Sequence, residues 1–321
     1  MKRTIRVMIF SLALTARFAT GVFAQRMLIP VGRVVGLSLE EGSVTVAAYD
    51  ETLGKLAREA GIHIGDEIIS IDGMEIDSAG DLRRALEQSD GCVELVLERK
   101  GRRETLSLSP AATPSGPKLG VYLREGVTGI GTVTYYDPQE KTFGALGHGV
   151  NDSHGALCRM EQGYIYRATV VGVRPGKAGQ PGQLKGSVTE ETPAGLLTDN
   201  TSFGVFGEGV TFSGEALPVA LPEEVEPGEA VIMSNISGSE TELFTVELVK
   251  VYRGEEHKGR DMMIRVTDPR LLAHTGGIVA GMSGSPIIQN GKLVGAVTHV
   301  LVNQPDTGYG IFMENMLEAA G

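Results

Sequence analysis

The sequence predicts a mainly β protein in two domains, and three observations carry that expectation. The chain has 321 residues, which at about 150 per domain suggests two cores. It holds 44 Gly and 14 Pro against no Trp, which favours tight turns and short strands over long helices. Apolar and β-branched runs such as Ile130 to Tyr136, Thr169 to Val173 and Ile264 to Thr267 are punctuated by Gly, Pro and Asp, as in barrels and sandwiches. The composition is that of a folded chain, 41% hydrophobic and 21% charged. A net charge of −11 opposes broad attraction to phosphate backbones, so nucleic acid is not an expected partner. Two cysteines, Cys92 and Cys158, are too few for a disulfide framework or a Cys-rich zinc site. No metal-ligand spacing such as H-E-x-x-H occurs, and neither metal nor cofactor is expected.

At the N-terminus, Lys2, Arg3 and Arg6 precede an apolar stretch from Val7 to Ala16. Val22-Phe23-Ala24 ends in a small residue suited to a signal peptidase. Arg17 interrupts the run and weighs against a stable spanning helix. Residues 1–26 are thus expected to be a signal peptide or membrane anchor, and the protein to work outside the cytosol.

Three prolines in SPAATPSGPK, Ser109 to Lys118, suggest a linker at 111–118. It separates an expected domain at 30–110 from one at 119–321. In the first, Leu53, Leu56, Ala57 and Ala60 have helical spacing with Gly61 as a stop. Two β-rich runs then turn at Asp72-Gly73. Ser78 and Asp81 form a capping-box pattern before Leu82, Ala85 and Leu86. Val93, Leu95 and Leu97 lead through Lys100-Gly101 into Leu106 and Leu108, a hairpin. This order, with G-I-x-x-G-D-x-I-x-x-I-x-G at 61–73, resembles a PDZ domain. The resemblance implies that a peptide or C-terminus adds as a strand, its carboxylate held by a glycine-containing loop. Gly32, Gly36 and Leu37 of PVGRVVGL lie where that loop is expected.

The chemistry concentrates in GGIVAGMSGSPIIQNGKLVGAVTHV, Gly276 to Val300. Ser283 between glycines allows a tight turn that projects the hydroxyl while nearby amides face the same space, the parts of an acyl-transfer site. Asn290-Gly291 signals a type I′ hairpin just beyond it. A serine needs a base, normally an imidazole. His148 in FGALGHGVND, flanked by glycines at the end of an apolar run, fits best, with His154, His274 and His299 behind it.

GALGHGVND, VTDPRLLAHTGGIVAGMSGSPIIQNGKLVGAVTHV and LIPVGRVVGLSL, together with an export segment and PDZ domain, resemble the SpoIVB peptidases of endospore formers. That resemblance implies a chymotrypsin-like double β-barrel following the PDZ domain. It implies Ser283 as nucleophile, His148 as base, Asp268 as acid, and the Gly281 and Ser283 amides as oxyanion donors. Asp268 lies only 15 residues before Ser283, so Asp152 and Asp199 stay open. Ser285 reads as a hairpin residue. Substrate is expected to pair along Val297, Thr298 and His299. Uncharged Gly276, Gly277 and Ile278 near the pocket argue against a strict requirement for a basic residue. The implied function is an exported, self-cleaving serine endopeptidase that cuts a membrane-anchored regulator of an intramembrane protease during sporulation, between forespore and mother-cell membranes. Competing readings are an HtrA-like quality-control protease and a non-catalytic PDZ scaffold.

Overall fold

The computed structural model describes residues 25–152, 155–254, 257 and 259–321. The predicted export segment, up to its last two residues, and His154 lie outside the described residues. Among the described residues no helix is long and apolar enough to cross a membrane.

Strand β1 (Met27–Pro30) leads to the long β2 (Val34–Tyr49). There follow α1 (Gly54–Glu59), β3 (Glu67–Ile71), β4 (Met74–Glu75), α2 (Ala79–Gln88), β5 (Val93–Arg99) and β6 (Arg102–Leu108). The short hairpin of β7 (Ala111–Thr113) and β8 (Gly116–Lys118) precedes a second long strand, β9 (Val121–Asp137). Then come β10 (Thr142–Ala145), β11 (Gln162–Arg174), β12 (Gln183–Val188), β13 (Gly195–Thr201) and β14 (Gly204–Glu208).

Strands β2, β9, β10, β14, β13 and β11 are neighbours in that order, and β11 pairs back onto β2. The sheet therefore closes. Alternate residues point inward, as the pleat requires, and Val35, Leu37, Leu39, Val133, Phe143, Ile165 and Val205 fill this first barrel. After β15 (Leu217–Pro218), a second barrel forms from β16 (Gly228–Ser237), β17 (Glu240–Val251), β18 (Met262–Val266), β19 (Pro286–Gln289), β20 (Lys292–Leu301) and β21 (Gln304–Phe312). Its closed order is β16-β17-β18-β21-β20-β19. Counted from one to six, both barrels run 1-2-3-6-5-4, the repeated Greek key of the expected double barrel. Helix α3 (Pro269–Thr275) precedes the β19–β20 hairpin and α4 (Met313–Ala320) ends the chain.

The PDZ domain precedes nearly all of the peptidase domain, but its boundary is corrected. Val34 to Glu40 of β2 pair with Thr132 to Gly126 of β9 inside the first barrel, whereas Thr45 to Tyr49 pair with Arg124 to Val121 in the PDZ sheet. The domain is thus inserted between the first two strands of the barrel, over about 43–124, and does not begin at 30. The physical cause is the inward register of Val35, Leu37 and Leu39, which join the barrel core. Val44, Val46, Ile68, Leu82, Leu86, Leu95 and Leu97 form a separate PDZ core. The expected linker at 111–118 is likewise no loose tether. Ala111 pairs with Lys118, the hairpin packs on α2, and Leu119 is buried.

Candidate active site

Ser283 sits in the loop between α3 and β19, which only glycine can build. Gly281 and Gly284 have φ of +98° and +95°, a left-handed region costly for other residues. A Cβ on Gly284 would lie 2.1 Å from the Thr132 carbonyl oxygen. Thr132 anchors the loop from β9: its amide donates to the Ser283 carbonyl (3.2 Å) and its hydroxyl to the Gly281 carbonyl (2.7 Å). On the other side Gly284 donates to Val297 (2.7 Å) and Val297 donates to Ser285 (2.9 Å). The amides of Gly281 and Ser283 have no acceptor among the described residues, leaving both available to an oxyanion. Ser285 is fully buried and donates to the Ser234 hydroxyl, a packing role.

His148 follows β10 through two left-handed residues, Leu146 and Gly147, both with φ of +69°. A Cβ on Gly147 would meet Thr298 of the second barrel at 2.9 Å, so glycine lets the histidine loop lie against β20. The Nδ1 of His148 is 2.9 Å from the Gly149 carbonyl. A carbonyl only accepts, so Nδ1 carries the proton and Nε2 is left as the basic nitrogen. Burial pushes the ring below its ordinary pKa, partly offset by the Gly149 bond.

Ser283 and His148 border one cleft between the barrels, about 570 Å³ in volume. Its walls include Leu37, Leu39, Leu146, Ile278 and Val300, and among the described residues no Asp, Glu, Lys or Arg lines it. The Ser283 hydroxyl donates to the Thr298 carbonyl at 2.8 Å rather than to His148. His299 stands beside the base, ring centroids 5.4 Å apart. Desolvation, then the proximity of His148 and Arg260, push His299 down to about 4.

Asp268 is not brought to His148. It caps helix α3, accepting from the Arg270 amide, and its carboxylate pairs with the Arg270 guanidinium at 2.9 Å. The second oxygen also accepts from the Thr245 amide. The Arg270 bonds hold its pKa down to about 2. The alternatives fare no better: Asp152 accepts from the Ala156 amide and Asp199 lies exposed on β13. No carboxylate among the described residues hydrogen-bonds His148.

Of the expected substrate strand, Val297 is corrected, because its amide and carbonyl are spent on the Ser283 loop. Thr298 offers its carbonyl, now held by Ser283, and exposed His299 borders the cleft. Gly32, Gly36 and Leu37 are corrected as a PDZ carboxylate loop. Gly32 donates to Val133 and packs against Met233, Gly36 pairs with Tyr166 and Ile130 in the first barrel, and Leu37 lines the cleft. In the PDZ sheet β6 and β9 are the edge strands, and β9 is the one that lies toward α2. Over Val121 to Arg124, β9 pairs with β2 alone among the described strands, and through Val121 and Leu123 it shares the PDZ core with α2. No cluster of three or more metal-ligating side chains occurs among the described residues.

Two Greek-key barrels with a glycine-flanked serine and a histidine in the cleft between them define a serine endopeptidase, here with a PDZ domain set into its first barrel. The chain belongs to the SpoIVB peptidase S55 family, whose model matches residues 116–317, more than half of its length. A PDZ domain model matches 53–99. No curated protein matches it. Among solved structures, the PDZ domain of an SdrC-like protein from Listeria monocytogenes is similar over 25% of this chain and 85% of its own, at 20% identity and TM-score 0.22. The Rv3671c protease in an inactive form is similar over 61% of this chain and 85% of its own, at 14% identity and TM-score 0.34. A serine-to-alanine mutant of Rv3671c from M. tuberculosis H37Rv gives 14% identity, 60% and 81% coverage, and TM-score 0.33.

Proposed function

We propose that this peptidase uses Ser283 as nucleophile and His148 as general base, and that it cuts an exported or membrane-associated regulatory protein in a sporulation signalling pathway. The observation that carries the chemistry is the shared cleft, with two unoccupied amides at Gly281 and Ser283. A substrate strand offering its N–H to the Thr298 carbonyl would displace the Ser283 hydroxyl that now occupies it. The freed hydroxyl turns to Nε2 of His148. Oγ then bonds to the scissile carbonyl carbon as its proton passes to Nε2, and the amides receive the developing oxyanion. Collapse of the adduct breaks the C–N bond, and the imidazolium hands its proton to the leaving amine. Water repeats the sequence on the ester.

The apolar wall residues Leu37, Leu39, Leu146, Ile278 and Val300 favour an apolar side chain before the cut. The pathway, the membrane-anchored target, self-cleavage and action between forespore and mother-cell membranes rest on family membership, and export rests on residues 1–26. Recruitment is assigned to the free β9 edge beside α2, where a peptide C-terminus would add as a strand. An HtrA-like arrangement, with PDZ modules after the protease, is disfavoured by the insertion. The test is cleavage of a peptide library and of the protein itself. Ser283→Ala and His148→Ala should each abolish both, with unchanged melting. Activity retained in Ser283→Ala but lost in Ser285→Ala would reverse the assignment.

A further inference from the structure

No carboxylate among the described residues hydrogen-bonds His148, yet its ring is held by a backbone carbonyl. We infer that Asn200 positions and polarises the base through the peptide unit joining Gly149 to Val150. His148 donates from Nδ1 to the Gly149 carbonyl at 2.9 Å. That carbonyl shares its peptide plane with the Val150 amide, which donates to Oδ1 of Asn200, also at 2.9 Å. The two bonds lie on opposite ends of one amide. A peptide whose N–H is engaged becomes a stronger acceptor at its C=O, because hydrogen bonds in series polarise one another.

Asn200 is fixed in the orientation this requires. Its Nδ2 donates to the carbonyls of Val150 and Cys158, both at 2.9 Å. Flipping the side-chain amide would set donor against donor at Val150 and oxygen against oxygen at two carbonyls. The residue lies near the end of β13, entering the turn to β14, and the histidine loop rests directly on that turn. A Cβ on Gly149 would come within 2.6 Å of the Thr201 carbonyl oxygen, so glycine is what permits the approach.

During proton transfer the imidazolium needs an acceptor at Nδ1. The Gly149 carbonyl supplies it as a dipole rather than a charge, so it raises the basicity of His148 less than a carboxylate would. Asn200 is therefore a positioning residue acting through the backbone. The inference rests on His148 being the general base of the proposed mechanism.

The test uses the full chain, with pH profiles of kcat and kcat/KM on a peptide substrate and thermal unfolding recorded alongside. Asn200→Ala should lower kcat by about tenfold or more, within the range of a general-base contribution, with KM changed by less than about threefold. Its acid limb should move to lower pH, because weakening the Gly149 acceptor lowers the basicity of His148. Asn200→Asp keeps an acceptor for Val150 and adds charge, so its acid limb should return to the wild-type position or above it, whatever its melting temperature. A purely structural residue would make Asn200→Asp, which loses both donated bonds, no better than Asn200→Ala. An unmoved acid limb in both variants overturns the inference. So does a shift of that limb in Asp268→Asn instead, which would return the third role to Asp268. Full activity in His148→Ala would sink the proposed mechanism itself, which is a separate outcome.

Discussion

His148 is neutral over a wider pH range than a free imidazole, because burial disfavours its charged form and only the Gly149 bond favours it. The working base is the neutral ring, so the acid limb of kcat/KM should fall below the ordinary histidine value of about 6.5. A pH–rate profile on a substrate that does not titrate checks this, and a limb above that value would mean an unseen negative charge. Asp268 behaves differently. Its pKa is depressed to about 2, so its stabilisation is present above the unfolded carboxylate range and is lost as pH falls through about 2. Asp268→Ala should cost about 1 kcal/mol of stability through the lost cap, with kcat per folded molecule little changed, as melting curves and kinetics on the same sample would show. Ser283 and His148 were legible in the sequence because glycines on both sides advertise tight turns around a polar side chain. Asn200 was not, since its partners Val150 and Cys158 lie 50 and 42 residues away and nothing beside it marks a function.

Local turn chemistry explains how much of each element could be foreseen. Asp72-Gly73, Lys100-Gly101 and Asn290-Gly291 all adopt paired positive φ values, as their hairpins demand. Ser78 caps α2 by accepting from the Asp81 amide. What could not be foreseen is the work of β9, whose alternation fixes faces but not partners. Its Thr132 is fully buried and holds the Ser283 loop through the Gly281 carbonyl. Thr132→Val keeps the shape and strands that carbonyl, so it should destabilise the protein by about 1–3 kcal/mol and lower kcat by loosening the oxyanion amides. Unchanged kcat in a folded Thr132→Val would remove β9 from the description of the site. Gly284→Ala is expected to be more severe, given its positive φ and the Thr132 carbonyl in the way.

Across the whole molecule the decisive pairings join residues far apart in the chain, which is why the sequence alone does not show where the PDZ domain begins. Glu40 pairs with Gly126 across an insertion of 85 residues, and no linker composition marks that junction, because both strands run through it unbroken. The pairing also makes the insertion separable. Replacing 41–125 by a two-residue Asn-Gly turn should close β2 onto β9 and leave a folded double barrel that still cleaves short peptides. Cleavage of a full-length protein substrate should fall, because the free β9 edge beside α2 is gone. Loss of folding would show that the PDZ core is needed to hold the barrel, and undiminished cleavage of the protein substrate would remove the recruiting role.

Whether Ser283 is a nucleophile activated by His148 is read out by reaction with a fluorophosphonate. Attack by the serine oxygen on phosphorus expels fluoride and leaves a stable covalent mark, located by mass spectrometry of the digested protein. One modified residue is expected, Ser283, with labelling suppressed in His148→Ala and unaffected in Ser285→Ala. An unlabelled, folded protein, or a label on Ser285, would contradict that role of Ser283.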